Sequence, residues 1–218
     1  MSFYRVDGAS KSGVKSPEFR SDSVSNIIIL AGGKSTRMGR DKLELTLGGE
    51  TLLQSVTARF KAEFDSVYLS VADDAKYGDV DAPRVKDIYH GAGPIGGLHA
   101  ALSTLAGDGA FLVAADLPYA TPQAARLIID LCGEHDACIV RLPDGKLEPL
   151  FGFYRKTLTD KCEDAIKSGE RRMTEVIYSA NTRFVSPEML GDLWSDKLLL
   201  NINYPEDYAA EVNNSIIN

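Results

Sequence analysis

Residues 27–42 decide the fold and read Ile-Ile-Ile-Leu-Ala-Gly-Gly-Lys-Ser-Thr-Arg-Met-Gly-Arg-Asp-Lys. The opening apolar run, with three β-branched isoleucines, is typical of a strand that is buried on both faces. Gly32 and Gly33 then let the backbone turn sharply and approach a ligand closely. Backbone N–H groups on such a turn are ready donors to an anion. This stretch therefore predicts a strand that is followed by an anion-binding loop.

Two cations follow these glycines at fixed offsets. Arg37 offers a planar fork of donors that matches phosphate oxygens, and Lys42 supplies a mobile point charge. Together they can neutralise a triphosphate, so we predict a nucleoside triphosphate site in which both are catalytic. A Walker loop would need Lys and Ser or Thr directly after its last glycine, but Gly39 is followed by Arg40 and Asp41. The stretch also lacks the Gly-x-Gly-x-x-Gly pattern of dinucleotide sites.

Size and charge narrow the class of protein. The chain has 218 residues, of which 44% are hydrophobic, and this suits one α/β domain with a sizeable core. The net charge is −7, whereas broad binding to nucleic acid needs a basic surface. No apolar run approaches the length of a membrane span, and the N-terminus lacks the apolar core of a signal peptide. We therefore expect a cytoplasmic protein whose partners include neither nucleic acid nor a membrane.

The cysteines and histidines are not arranged for redox or metal chemistry. Cys132, Cys138 and Cys162 form no Cys-x-x-Cys pair, and their odd number does not suit a secreted disulfide framework. The three histidines are scattered without ligand spacing. We expect buried, reduced thiols and no covalent nucleophile, which phosphoryl-type transfer does not need.

Strands alternate with helices after an irregular start. Residues 1–24 are rich in polar residues without apolar periodicity, so we predict a flexible extension over 1–24 and a single domain over 25–213. Apolar runs and caps predict strands at 27–30, 67–71, 84–86, 110–115, 137–141, 149–154 and 198–202, and helices at 51–64, 94–105, from Thr121, at 156–168 and from Pro205. Repeated crossovers imply a three-layer α/β fold with a mainly parallel sheet. Ligands bind such sheets at the carboxyl ends of the strands, where strand order switches.

Asp116 is the strongest acidic candidate at that edge. It follows the apolar run at 110–115 and precedes Leu117 and Pro118, so its carboxylate is expected beside the glycine loop. Mg²⁺ takes hard oxygen ligands and is usually held by one or two carboxylates plus substrate phosphates. The alternative is that Asp116 only caps the turn.

Three further polar residues lie at comparable places. Asp87 follows a short strand, and Asn201 and Asn203 stand one residue apart, on one face if their strand persists. Each of them can equally be a turn or cap residue. Arg171 and Arg172 close a helix; they are either partners of the helix dipole or a grip for a phosphate.

Seven segments occur in the order seen in molybdenum cofactor guanylyltransferases, which the chain resembles over roughly residues 26–210. They are Leu-Ala-Gly-Gly at 30–33, Arg-Met-Gly at 37–39, Lys42, Gly-Pro-Ile-Gly-Gly at 93–97, Asp-Leu-Pro at 116–118, Gly-Glu-Arg-Arg at 169–172 and Asn-Ile-Asn-Tyr-Pro-Glu-Asp at 201–207. The glycine loop is shared with the wider nucleotidyltransferase superfamily, whereas the last two segments together are much more specific. Ser70 stands where the family has an asparagine.

The resemblance implies a Rossmann-like, glycosyltransferase-A-type domain that transfers GMP from GTP to the terminal phosphate of molybdopterin and releases pyrophosphate. It implies Mg²⁺ as cofactor, and transient contact with cofactor-insertion proteins or recipient molybdoenzymes. Together with the residue chemistry above, the resemblance implies that Arg37, Lys42 and Asp116 are catalytic and that Asp116 binds the magnesium ion. The residues expected to contact GTP are Leu30, Ala31, Gly32, Gly33, Lys42, Ser70, Asp87 and Asp116. Those expected to contact the acceptor are Arg171, Arg172, Asn201 and Asn203.

Two other functions share part of this pattern. A cytidylyltransferase or sugar-phosphate nucleotidyltransferase would have the same glycine loop. However, relatives that use CTP on molybdopterin tend to have a sequence similar to Leu-Ala-Ala-Gly where this chain has Leu-Ala-Gly-Gly. A non-catalytic nucleotide-binding regulator would not need both Lys42 and Asp116.

Overall fold

Strands and helices alternate along the chain in the computed structural model, which describes residues 25–31, 42–44, 46–47, 49–71 and 77–202. The strands are β1 (Ser25–Leu30), β2 (Thr46–Leu47), β3 (Glu50–Thr51), β4 (Val67–Val71), β5 (Arg84–Lys86), β6 (Gly109–Ala114), β7 (Ala137–Arg141), β8 (Leu147–Arg155) and β9 (Thr182–Val185). The helices are α1 (Leu52–Lys61), α2 (Pro94–Thr104), α3 (Pro122–Cys132), α4 (Thr159–Lys167), α5 (Met173–Ser179) and α6 (Pro187–Leu190).

Seven of these strands form one sheet in the order β5-β4-β1-β6-β8-β7-β9, and β2 pairs with β3 in a separate hairpin. All neighbours are parallel except that β8 runs antiparallel to both β6 and β7. The prediction of a mainly parallel sheet is confirmed. The chain passes from β1 outward to β4 and β5 and then returns to β6 on the other side of β1. The strand order therefore switches at β1 and β6, which is where such sheets bind ligands.

The three isoleucines of β1 separate two layers of core. Ile27 and Ile29 pack in the cluster that holds Phe60 of α1 and Ile128 of α3. Ile28 points to the opposite face, into the cluster that contains residues of α2 and α4. Because successive side chains of a strand face opposite sides, a continuous apolar run requires cover on both. The three-layer α/β fold is thus confirmed.

Most predicted elements are present, and local chemistry explains their ends. Thr51 accepts a hydrogen bond from Gln54 N, and the Gln54 side chain accepts one from Thr51 N, which is a capping box at the start of α1. Thr121 caps α3. The helix predicted at 156–168 begins as a 3₁₀ turn and continues as α4, and Gly169 follows it with φ +85°, the left-handed conformation that glycine adopts readily.

The prediction of a strand at 198–202 is wrong. Residues 196–199 form a turn, and Leu198 and Ile202 are buried without joining the sheet. Their apolar character marks packing against the core and not strand pairing. The short elements β2, β3, α5, β9 and α6 were not predicted from the sequence, because runs of two to seven residues carry little periodic signal. The extension at 1–24 and the helix predicted from Pro205 lie outside the described residues.

The thiols are as predicted from the sequence. Cys132, Cys138 and Cys162 are free and buried. Burial raises the pKa of Cys132 to about 11 and that of Cys162 to about 12, so these thiols stay protonated at neutral pH. Within the described part of the chain, no helix is long and apolar enough to cross a membrane.

Candidate active site

The ends of β1, β4 and β6 are tied together at the carboxyl edge of the sheet. Ala31 N donates to Ser70 O at 3.0 Å, and Ala115 N donates to Leu30 O at 3.2 Å. These bonds continue the sheet ladder one residue beyond β1. Leu30, Ala31 and Ser70 are therefore brought together at the point where the strand order switches.

Helix α2 packs very closely on these strand ends. A Cβ atom on Gly97 would lie 2.5 Å from Ser70 Oγ and 3.0 Å from Leu30 Cδ2, so this position has no space for a side chain. Ser70 itself is only 5% exposed. A glycine is required here because the helix begins directly beside the strand that precedes the glycine loop.

Asp87 lies next to the first turn of α2. Its Oδ2 atom would be 3.5 Å from a Cβ on Gly96, and its Oδ1 atom is buried with no hydrogen-bond partner among the described residues. Burial raises the pKa of Asp87, and the nearby His90 lowers it in part. A buried carboxylate oxygen without a donor is costly in a folded protein. The Oδ1 atom of Asp87 is thus a candidate acceptor for a hydrogen bond from a ligand.

Asp116 follows β6 at the same edge and is partly buried. Its carbonyl accepts a hydrogen bond from Ile202 N at 3.0 Å. This bond places Asn201 next to Asp116, although Asn201 does not belong to a strand. Asn203, the other predicted acceptor contact, lies outside the described residues.

Arg59 of α1 holds the loop that follows Asp116, and sequence reasoning missed it. Its Nη1 atom donates to Pro118 O at 2.6 Å and to Ala120 O at 3.0 Å. Burial lowers the pKa of Arg59, with partial compensation from Tyr119. An arginine on a helix gives no sequence signal for such a long-range bond, so only the fold reveals it.

Glu148 is a second carboxylate near Asp116 that sequence reasoning missed. Burial raises the pKa of Glu148, a hydrogen bond from Leu150 N lowers it, and the negative charge of Asp116 raises it further. The charge of Asp116 thus acts on the Glu148 carboxyl across this edge of the sheet. Glu148 reaches this edge only because β8 is antiparallel, which the apolar pattern at 149–154 could not indicate.

The loop with the two predicted arginines is also directed towards the carboxyl edge. β8 ends at Arg155 opposite Gly109, at the amino edge of the sheet, so α4 runs back and places its last residue, Lys167, near the opposite edge. Lys167 pairs with Glu163 at 3.0 Å, and Glu163 accepts a hydrogen bond from Tyr89 Oη at 2.6 Å. This chain of contacts links the end of α4 to the segment after Asp87.

The two arginines are held differently. Arg172 forms ion pairs with Glu170 at 2.9 Å and with Glu175 at 3.2 Å. The side-chain hydrogen bond from Arg172, with the backbone N–H groups of Arg172 and Arg171, lowers the pKa of Glu170 to about 2. The exposed Arg171 guanidinium donates to the carbonyl oxygens of Ile166 and Glu170. Among the described residues it pairs with no carboxylate, so Arg171 is better placed than Arg172 to meet an anion.

Part of the predicted site cannot be placed. Gly32, Gly33 and Arg37 lie outside the described residues. The backbone of Lys42 is in a 3₁₀ turn, Lys42–Glu44, whose Leu43 is buried in the core cluster shared with α1.

The described residues hold no group of three or more His, Cys, Asp or Glu side chains arranged to bind a metal ion by themselves. Asp116 nevertheless offers the hard oxygen donors that suit Mg²⁺, which usually completes its coordination with water and substrate phosphates. The donor set at this edge therefore fits a cation that arrives with a nucleotide.

A mainly parallel α/β sheet with these groups at its switch point defines a nucleotide-binding class of protein. Residues 27–183 match the family described as the MobA-like NTP transferase domain. The chain therefore belongs to this family and is a nucleotidyltransferase.

Individual relatives agree with this assignment. The molybdenum cofactor guanylyltransferase of Syntrophotalea carbinolica is 31% identical over 185 residues, which are 83% of this chain and 87% of that protein. The crystal structure of molybdopterin-guanine dinucleotide biosynthesis protein A from Archaeoglobus fulgidus has a TM-score of 0.77 at 23% identity and covers 88% of this chain and 100% of its own. A Mycobacterium tuberculosis protein solved in complex with manganese has a TM-score of 0.59 at 18% identity, with 88% and 98% covered.

Proposed function

We propose that this nucleotidyltransferase transfers GMP from GTP to the terminal phosphate of molybdopterin and releases pyrophosphate. The observation that carries the choice of nucleotide is Asp87, whose buried Oδ1 atom has no hydrogen-bond partner among the described residues. Guanine presents adjacent N1–H and amino donors, which match a carboxylate. Cytosine and adenine do not present that pair of donors.

The sheet edge is proposed to divide into two halves. The proposed nucleotide half consists of Leu30, Ala31, Ser70 and Asp87, and we assign to it Gly32 and Gly33, which lie outside the described residues. The acceptor half consists of Asn201, Asn203, Arg171 and Arg172. Asp116 lies between the halves, because β6 is the strand at which the order switches.

The proposed reaction needs no covalent enzyme intermediate. A phosphate oxygen of molybdopterin attacks the α-phosphorus of GTP, and the bond from the α-phosphorus to the oxygen that bridges to the β-phosphorus breaks. Arg37 and Lys42 hold the leaving pyrophosphate and stabilise the charge that develops on it. Asp116 would hold Mg²⁺, which neutralises phosphate charge when it is bound. Arg59 keeps the loop after Asp116 in place.

The cytoplasmic location expected from the sequence stays a prediction, as do transient contacts with cofactor-insertion proteins and recipient molybdoenzymes. The single domain over 25–213 and the flexible extension over 1–24 are likewise proposed.

The test is nucleotide choice in binding and in turnover. Each unpaired polar group in a mismatched complex costs about 1–3 kcal/mol, so GTP should bind at least about tenfold more tightly than CTP or ATP. Calorimetric titration measures the three affinities, and pyrophosphate release is then followed with and without purified molybdopterin. Equal affinity for all three nucleotides, or pyrophosphate release that does not depend on molybdopterin, would overturn the proposal.

A further inference from the structure

Glu148 is brought to the level of Asp116 by the register of two antiparallel strands. The last pair between β6 and β8 joins Val113 to Phe151. Asp116 comes three residues after Val113, and Glu148 comes three residues before Phe151. Both carboxylates therefore emerge at the carboxyl edge of the sheet, at the boundary between the nucleotide half and the acceptor half.

A bulge in β8 separates Glu148 from the regular part of the strand. Ile139 of β7 pairs with Gly152, but the next residue, Val140, pairs with Glu148, so residues 149–151 have no partner on β7. A Cβ on Gly152 would lie 2.6 Å from Ile139 Cδ1, so the strands stay in close contact up to the bulge. Bulges of this kind redirect side chains and are frequent beside active sites.

The bulge is fixed from inside the core. The fully buried Tyr154 donates a hydrogen bond from its hydroxyl to Pro149 O at 2.7 Å. Pro149 has no N–H to lose from the ladder, which suits an irregular position in a strand. Glu148 is thus held at this edge by a rigid piece of the sheet and not by a mobile loop.

Glu148 is acted on by one other carboxylate and by one cation: the charge of Asp116 raises the pKa of Glu148, and the smaller effect of Lys146 lowers it. The carboxylate accepts a hydrogen bond from Leu150 N, it is partly buried, and it lies within electrostatic range of Asp116. Two carboxylates at the same edge of the sheet repel each other and the substrate phosphates. A divalent cation between them removes that repulsion, and one or two carboxylates are the usual protein contribution to a Mg²⁺ site.

We propose that Glu148 is the second carboxylate of the divalent-cation site and acts with Asp116, directly or through a bound water, to hold the cation that arrives with the nucleotide. This inference rests on the proposed function, because it assumes a nucleotide bound at this edge.

The experiment measures Mn²⁺ binding without turnover. The protein is saturated with a GTP analogue in which a methylene group replaces the oxygen between the α- and β-phosphorus, so that no transfer occurs. Mn²⁺ is titrated in, and water proton relaxation reports the Mn²⁺ held on the protein. The variants are Glu148→Gln, Glu148→Asp and, as a matched control, Asp144→Asn, which removes an exposed charge from the same hairpin and keeps the oxygen that accepts from Lys146 N.

Loss of a carboxylate from a metal site or its surroundings weakens metal binding by roughly 10–100-fold. The dissociation constant for Mn²⁺ should therefore rise at least about tenfold in Glu148→Gln, rise less in Glu148→Asp, and stay within twofold in Asp144→Asn. A constant within twofold of wild type in Glu148→Gln, folded by circular dichroism, overturns the inference alone. If the wild-type protein adds no relaxation beyond the analogue and Mn²⁺ in solution, the proposed function fails together with it.

Discussion

The two halves of the sheet edge are built by different means. In the nucleotide half, the parallel strands β1, β4 and β5 end side by side, and α2 packs so closely that Gly97 has no room for a Cβ atom. In the described acceptor half, Asn201 lies on irregular chain and Arg171 on a loop, and Asp116 between the halves faces the antiparallel β8. The proposed nucleotide half thus combines close main-chain packing with the side chain of Asp87, whereas the proposed acceptor half depends on individual polar side chains. Substitutions should separate the two.

The largest effect is expected for the two charges that are proposed to act on the transferring phosphate. Replacing Asp116 by Asn, or Lys42 by Ala, removes a fixed charge that stabilises the charge developing on the phosphates during transfer. Turnover should therefore fall by roughly 10²–10³-fold. Steady-state kinetics at saturating Mg²⁺ measure this. Asp108→Asn, at the other end of β6, is the matched control and should keep wild-type turnover. Near wild-type turnover in a folded Asp116→Asn protein would remove Asp116 from the catalytic groups.

Substitutions in the acceptor half should weaken the binding of molybdopterin and leave the binding of GTP nearly unchanged. Changing both Asn201 and Asn203 to Ala removes hydrogen bonds worth about 1–3 kcal/mol each to the pterin or its phosphate. The Michaelis constant for molybdopterin should rise, while calorimetry should show GTP affinity nearly unchanged. If GTP affinity falls and acceptor use stays intact, these residues belong to the nucleotide half.

A substitution in the nucleotide half should instead weaken the binding of GTP. Asp87→Asn weakens an acceptor for the donors of guanine, which costs about 1–3 kcal/mol of GTP binding. Inosine triphosphate lacks the guanine amino group, so wild-type protein should bind it less tightly than GTP, and Asp87→Asn should reduce that difference. Competition titrations with both nucleotides measure the coupling. An unchanged preference for GTP over inosine triphosphate in the variant would show that Asp87 does not contact the amino group.

The smallest effect should distinguish two adjacent arginines. Arg171 is exposed and pairs with no carboxylate among the described residues, whereas Arg172 is already engaged by Glu170 and Glu175. Exposed charge pairs contribute about 0.2–1 kcal/mol. Arg171→Ala should therefore raise the Michaelis constant for molybdopterin by about 1.4- to fivefold, and Arg172→Ala should change it less. A larger change in Arg172→Ala would mean that its ion pairs open when the acceptor binds.

How much the sequence predicts also differs between the halves. The isoleucines at 27–29 require cover on both faces, so periodicity alone predicts the buried parallel strand and the ligand edge that follows it. Asp116 could be predicted because it directly follows an apolar strand. Glu148 could not, since its place depends on the antiparallel course of β8 and on a bulge held by Tyr154.

The segment at 198–202 is a second case in which the local sequence pattern did not predict the structure. Its apolar residues predict a strand, but Leu198 and Ile202 are buried beside a turn, and the bond from Ile202 N to Asp116 O brings Asn201 to the site. Arg59 also escapes prediction, because its carbonyl partners, Pro118 and Ala120, lie about 60 residues away along the chain. Contacts between distant segments set the acceptor half, and a local pattern does not encode them.

The fate of the α-phosphate of GTP tests the central proposal most directly. The protein is incubated with Mg²⁺, purified molybdopterin and GTP labelled with ³²P at the α-phosphate, and the products are separated by chromatography. The proposed reaction predicts that the label appears in a guanine dinucleotide of the pterin, with one pyrophosphate released for each labelled product. Label that remains in GTP or appears only in GMP, or equal labelling of the pterin from CTP, would contradict it.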